Sequence, residues 1–518
     1  MGKKQRAAGR GRDHGRDRGR DRDRGRLAAL VGRLPLIGRF VSGDPLLRNG
    51  VVLTMASLAA SVLGAAYWSV AGLHYSVGNV GRNYSAVSMV MFLGGVSQLN
   101  LADVMVRFAP SAGRNTRRIV SRAYLASVLV GLVTSVGFVL LIPWLSPALM
   151  YLHNPLMGGV FVLAVTVYSI FILQDGVLTG LRRPNWVLGE QVLFSVSKLA
   201  AVIGLSLVAT DSGILLSWTV ALVIALLYVN VYLFGFAIPG REREVSRMER
   251  RPSWARDALP GDVTGLHLLP LESTQGVVRF TALTYVGGLF WLAATMLPQV
   301  LILNILGPDD SAYFSISWVI TTMLYVISTN MGSSIVVESA GDPRRLARAA
   351  RTVLRDTGKL LIGAVAVLLL AAPLVLRLFG PNYPGHATLL LRLLALSALP
   401  NLITSTALAA FRVRRRVGMV VLVYGALFAL VFGLCVVLVP AMGLAGMGMA
   451  WLLAQLVVAG ALLVFRGAWL PAEALVRPRE SRPVETIPMV PLPPQAQAAQ
   501  TQAAQARSRE WAGVEEEH

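Results

Sequence analysis

Residues 157–208 read MGGVFVLAVTVYSIFILQDGVLTGLRRPNWVLGEQVLFSVSKLAAVIGLSLV. Two apolar runs, 157–180 and 186–208, flank a short connection that carries Arg182 and Arg183. Each run has the length, about 20 residues, that takes an α-helix across the hydrocarbon of a bilayer. A helix is demanded there because every backbone N–H and C=O must be satisfied within the segment. The stretch therefore reads as two spanning helices joined by a basic turn.

The same pattern extends in both directions. Apolar runs recur at 49–71, 84–106, 120–144, 213–238, 281–306, 312–336, 358–379, 386–410, 417–439 and 443–465, which makes twelve expected spans. Charge alternates between their connections. Basic loops hold Arg114, Arg117 and Arg118, then Arg182 and Arg183, then Arg241 to Arg256, Arg344 to Lys359, and Arg412 to Arg416. The loops between them are nearly free of Lys and Arg; Arg82 stands alone in 72–83, and Arg377 flanks the loop near 380. A miscounted span would break this alternation. The positive-inside rule then places both termini in the cytoplasm.

Composition agrees. Hydrophobic residues make up 55% of the 518 residues and charged residues only 14%, against about 25% in a typical soluble protein. With so few charges the chain cannot cover a soluble surface, and a polytopic membrane protein is expected. The net charge of +21 comes from 48 Lys+Arg against 27 Asp+Glu. Much of it lies in the first 48 residues, a Gly-Arg-Asp run that reads as a solvated positive-inside tail rather than a nucleic-acid site. The tail after Pro471, PLPPQAQAAQTQAAQ included, has too little apolar content to fold alone. The single cysteine, Cys435, excludes an intrachain disulfide, and six scattered histidines offer no metal-ligand spacing. No Walker motif, nucleophile elbow or HExxH occurs, so neither ATP-driven nor hydrolytic chemistry, nor a cofactor, is expected.

The two halves match at a near-constant offset. Arg48 in LLRNGVVLTMASL pairs with Arg279 in VVRFTALTYVGGL, 231 residues on; Tyr84 pairs with Tyr313 at 229; Leu181-Arg182 pairs with Phe411-Arg412 at 230. Six helices plus six means that the halves share orientation, with a pseudo-two-fold axis along the membrane normal and a substrate path between lobes. The expected organisation is a basic tail (1–45), a first lobe (46–238), a cytoplasmic connector (239–278), a second lobe (279–466) and a C-terminal tail (467–518).

Ionisable residues at membrane depth are costly, about 2.5–3.5 kcal/mol each, and count as functional candidates. Asp103 and Arg107 are spaced to pair on one helical face. Asp175 and Glu190 lie in the fourth and fifth spans, and Lys198 lies about 18 Å into the fifth. Lys198 is expected either to pair with Asp175 or Glu190 or to face an aqueous cavity. Arg48 and Arg279 sit at the cytoplasmic mouths of the first and seventh spans. They serve either as positive-inside anchors or as bidentate phosphate binders.

Several stretches together resemble the polysaccharide and lipid-linked oligosaccharide flippases of the multidrug/oligosaccharidyl-lipid/polysaccharide exporter (MOP) superfamily. They are LLRNGVVLT, the segment VGRNYSAVSMVMFLGGVSQLNLADVMVRFAPSAG, and QDGVLTGLRRPNWVLGEQVLFSVSKL with its aspartate, Gly-Arg turn and closing SK(L). The resemblance spans about residues 45–466. It implies an all-α, MATE-like fold of twelve helices in two bundles around a central cavity. It also implies movement of a polyprenyl-pyrophosphate-linked glycan to the outer leaflet of a bacterial cell membrane, with glycosyltransferases or a polymerase as pathway partners. Arg48, Lys198 and Arg279 are the positions here that match basic cavity residues. Two rivals stand beside it: a multidrug/cation antiporter of the same superfamily, using Asp103, Asp175 and Glu190, and a non-transporting scaffold for cell-wall synthesis.

Overall fold

The computed structural model describes residues 62–208, 211–249, 274–338 and 343–470. Residues 62–74 form α1, the described part of the first expected span. There follow α2 (Val77–Ser97), α3 (Leu101–Phe108), α4 (Thr116–Leu145), α5 (Pro155–Gly180), α6 (Pro184–Ser206) and α7 (Gly213–Tyr232). A π turn at Leu233–Ala237 carries α7 into α8 (Ile238–Glu249). The second half runs α9 (Thr274–Ile305), α10 (Pro308–Glu338), α11 (Pro343–Arg377), α12 (Tyr383–Leu396), α13 (Ala398–Val413), α14 (Val417–Met442) and α15 (Leu444–Val464). Among the described residues ten helices are long and apolar enough to cross a membrane, and the bent pair α2–α3 makes an eleventh. The chain is a multi-pass, all-helical membrane protein.

Two boundaries differ from the sequence reading. The span expected at 84–106 is broken: Leu99 and Asn100 both take positive φ, 51° and 56°, and α3 leaves α2 at 48°. Gln98 Oε1 accepts from the Ala102 amide at 3.3 Å, supplying the new helix with a cap. The span expected at 386–410 is present as one, Tyr383–Val413, with α12 and α13 continuing through helical backbone at Ser397. The connector expected at 239–278 begins as helix, because α8 continues α7 into polar sequence. There Arg241 donates to the Pro110 carbonyl at 3.1 Å and Glu242 accepts from the Arg117 amide at 3.2 Å.

The internal repeat has a local structural signature that corrects its register. At the end of α5, Arg182 takes φ 59°, its N–H bonds to the Thr179 carbonyl at 3.0 Å, and the Arg183 N–H bonds to Leu178 at 2.9 Å. At the end of α13, Arg415 takes φ 54°, its N–H bonds to Arg412 at 3.0 Å, and Arg416 bonds to Phe411 at 2.9 Å. Both are Schellman closures in which arginine fills the left-handed position that glycine usually takes. Arg182 therefore matches Arg415, and the register Leu181-Arg182 to Phe411-Arg412 is three residues short at this turn. Upstream, Pro143 in α4 and Pro373 in α11 hold equivalent places near the ends of the third helix of each half.

Helix α5 is the hub of the first half and packs on α2, α3, α4, α6 and α7. Its approach to α3 is set by Gly176: a methyl there would collide with the Ala102 carbonyl. In the second half, α10 packs on α11, α12 and α13, while α9 and α15 close on α14. The halves meet mainly through α2, which lies against both α9 and α10. The structure thus has an arginine-rich end, with the turns after α5 and α13, and an arginine-poor end, with the turns after α1, α4, α9 and α11.

These two ends predict a labelling pattern. On a Cys435→Ser background, Arg183→Cys and Arg416→Cys should react with an impermeant maleimide only from the cytoplasmic side. Ala148→Cys and Leu378→Cys should react only from the other. Labelling of positions 183 and 148 from the same side would contradict the span count between them.

Candidate functional site

The polar centre of the first half is built where α5 and α6 leave their shared turn. Asp175 precedes Arg183 by eight residues and Glu190 follows it by seven, so the antiparallel helices bring the two carboxyls to one depth. Each carboxyl accepts from an amide of the opposite helix. Around them runs a chain of amides. Gln174 Nε2 donates to Glu190 Oε1, and Gln191 Nε2 donates to Asp175 Oδ2 at 3.3 Å. Asn230 on α7 donates through Nδ2 to Gln174 Oε1 at 3.1 Å and to the Leu226 carbonyl at 2.9 Å.

Gln174 and Glu190 are wholly buried. Asp175 Oδ1, Glu190 Oε2, Asn230 Oδ1 and the Tyr124 hydroxyl are buried and lack a hydrogen-bond partner. Such a site is short of donors. Two carboxyls brought to one depth repel when both are charged, which makes the pair a candidate for proton or cation coupling. Among the described residues no three His, Cys, Asp or Glu side chains converge as metal ligands.

Lys198 does not join this cluster, which corrects the expected pairing with Asp175 or Glu190. It is eight residues beyond Glu190, about 12 Å further along α6. Neither carboxylate forms an ion pair with it among the described residues. The ammonium instead lies 4.7 Å from the ring centre of Tyr67 and 5.0 Å from that of Phe194, and Lys198 is only 8% exposed. Two ring faces soften the desolvation of a cation but do not neutralise it. Tyr67 is held in place by its hydroxyl, which donates to the Ile214 carbonyl at 3.1 Å and shares a hydrogen bond with Ser217 Oγ at 2.9 Å. The residue types of Tyr67, Phe194 and Tyr124 gave no sequence signal of this role, because aromatic residues in apolar helices usually serve packing alone.

The other candidates fare differently. Asp103 and Arg107 form no ion pair with each other, contrary to the expected i,i+4 pairing. Both are exposed on the two-turn helix α3, and the Arg107 guanidinium lies 5.9 Å from the Phe108 ring. Exposed charges gain little from pairing. Arg48 lies outside the described residues. Arg279 belongs to α9, but its side chain is outside them.

A second polar set joins the halves at the arginine-poor end. A methyl on Gly81 of α2 would collide with the Pro308 carbonyl and stand 2.8 Å from the Ala312 nitrogen, so only glycine permits this crossing with α10. Beside it Ser85 Oγ and Ser311 Oγ are 2.9 Å apart, and Gln299 Nε2 donates to Ser311 Oγ at 2.6 Å and to Ser315 Oγ at 2.9 Å. Ser146 donates to Asn304 Oδ1 at 2.9 Å, while Asn304 Nδ2 donates to the Leu145 carbonyl at 3.0 Å. Ser69 donates to the Leu378 carbonyl. These bonds seal the two halves together at that end.

No protein-family model matches the chain, and no curated protein matches its sequence. Solved structures do match its fold. A multidrug-resistance MATE-family transporter of the MOP superfamily, in an inward-facing conformation, aligns at TM-score 0.54 and 15% identity over 78% of this chain and 93% of that one. The lipid II flippase MurJ, in an inward closed conformation, aligns at TM-score 0.60 and 10% identity over 80% and 87%. A MOP-superfamily transporter from Pyrococcus furiosus, described by the reversed polarity of its binding pocket, aligns at TM-score 0.55 and 14% identity over 82% and 96%. The chain has the all-helical fold shared by these transporters.

The different surroundings of Lys198 and Glu190 predict opposite stability effects. Lys198→Met should leave the thermal unfolding midpoint of the purified protein unchanged or raised. Glu190→Leu should destabilise by about 1–3 kcal/mol, because it strands the Gln174 amide. Equal destabilisation by both would mean that Lys198 has a carboxylate partner after all.

Proposed function

We propose that this protein is a membrane flippase that moves a polyprenyl-pyrophosphate-linked oligosaccharide from the inner to the outer leaflet for cell-surface polysaccharide synthesis. The observation that carries the reading is Lys198: a buried cation at membrane depth, held by aromatic rings and without a carboxylate. A residue so placed has an unmet demand for an anion. A lipid-linked pyrophosphate is the anion that a chain with this fold would meet from within the bilayer. Arg279, and Arg48 at the repeat-related position, are proposed to take the pyrophosphate at the cytoplasmic mouth. Arginine suits that task through its bidentate fork.

Alternating access follows from the seal between the halves. With the arginine-poor end closed, substrate is taken up from the arginine-rich, cytoplasmic side. Release requires the Ser85–Ser311 and Asn304–Ser146 bonds to break and α10 to move off Gly81. Asp175 and Glu190 are proposed as the coupling site, where uptake and loss of one cation alter the packing of α5 on α6 and α7. The same pair is the observation that favours a second reading, a multidrug/cation antiporter. The lack of any carboxylate beside Lys198 weighs against cationic cargo.

Reconstituted vesicles separate these readings. Fluorescent polyprenyl-pyrophosphate-linked oligosaccharide should reach the opposite leaflet, and Arg279→Lys should slow it while abundance holds. Export of a cationic dye with no movement of the lipid-linked glycan would favour the antiporter. Movement of neither, in protein that is folded and correctly oriented, would favour the scaffold.

The seal makes its own prediction. Ser85→Cys with Ser311→Cys, on a Cys435→Ser background, should cross-link under mild oxidation, stop transport and recover on reduction. Undiminished transport by the cross-linked protein would rule out opening at that end.

A further inference from the structure

At the arginine-poor end, just beyond the seal, the two halves enclose a recess of about 440 Å³. The first half contributes Arg82 from α2 and Pro147, Met150 and Tyr151 from the turn after α4; the second contributes Leu303 and Pro308. Its chemistry is divided. Arg82 is exposed and makes no hydrogen bond or ion pair among the described residues, and its charge acts on Tyr151. The Tyr151 hydroxyl is buried without a partner. Burial holds its phenol above the ordinary range, with the Arg82 charge acting the other way, so at neutral pH it remains a donor. The other walls are apolar.

Arg82 is also the single basic residue of the 72–83 connection, on the side where the charge pattern disfavours arginine. An unpaired guanidinium and an unpaired hydroxyl over apolar walls fit an amphiphile with an anionic phosphate head. We propose that this recess binds the phosphate headgroup of an anionic lipid from the outer leaflet and, when filled, holds the two halves closed at that end. The coupling is built into the chain. Pro308 is both a wall of the recess and the residue on which Gly81 packs, and Arg82 follows Gly81 directly. Separation of the halves would carry Leu303 and Pro308 away from Arg82 and dismantle the site. A bound headgroup therefore favours the closed arrangement over the open one. The proposal stands apart from the identity of the cargo, since it needs only that the halves part at this end.

The test uses the full chain with Ser85→Cys and Ser311→Cys on the Cys435→Ser background, in nanodiscs of phosphatidylcholine with or without phosphatidylglycerol. The cross-linking rate reports closure. Phosphatidylglycerol should raise it several-fold, and Arg82→Gln and Tyr151→Phe should each abolish most of the rise. Arg377→Gln, at the same end but outside the recess, should retain it. An undiminished rise in Tyr151→Phe, or in folded Arg82→Gln, would overturn the site. Inorganic pyrophosphate in neutral nanodiscs should be without effect; if it reproduces the rise, the recess binds free anions and the lipid assignment is overturned. Tyr151→Phe preserves packing and charge, so it decides the matter even where Arg82→Gln fails to fold.

Discussion

The bilayer interior offers no water, so each polar group carried into it must find its partner within the protein. The structure is organised around that constraint. Asn230, Gln174 and Glu190 form one hydrogen-bonded chain across α7, α5 and α6, and Gln191 donates to Asp175 beside it, while Asp175 Oδ1, Glu190 Oε2 and Asn230 Oδ1 stay without a partner. Ser, Asn and Gln side chains, rather than charges, join the two halves through α2, α4, α9 and α10. Such neutral bonds hold helices together by about 0.6 kcal/mol each on average. What the constraint leaves unmet is informative in turn: the ammonium of Lys198 and a few carboxyl and amide oxygens are buried with no complement.

The halves are alike in backbone and unlike in chemistry. The repeated closures at Arg182 and Arg415 set the same turn in both. Yet the core of the first half carries Glu190, Asp175 and Lys198. The core of the second is neutral and aromatic: Trp451 donates to the Tyr325 hydroxyl at 2.7 Å, which shares a hydrogen bond with Ser397 at 2.7 Å.

Much of the fold could be read from the sequence, because span length and loop charge answer directly to the membrane. The turn at Arg182 and Arg183 was legible for that reason. The break at Leu99 and Asn100 was not, since two positive φ angles inside an apolar run leave no compositional mark. The repeat could be read only to within three residues, because the matching closure depends on backbone conformation rather than on the identity of neighbouring side chains. At the site, the residue types were legible and their pairing was not. Asp175 and Glu190 meet because helices reverse direction at the turn, which equalises their depth. Lys198 lies two helical turns deeper, beyond the reach of either. The roles of Tyr67, Tyr124 and Phe194 became visible only from their positions around these charges.

On the proposed reading Lys198 is kept unpaired so that it can receive an anion. Equilibrium binding of a polyprenyl-pyrophosphate-linked oligosaccharide to the purified protein tests it most directly, comparing the native chain with Lys198→Met. A hydrogen bond to a charged group contributes about 1.5–3 kcal/mol, so affinity should fall by about ten-fold or more while the fold is retained. Unchanged affinity in the folded variant would make Lys198 a packing residue in an aromatic pocket and not an anion site.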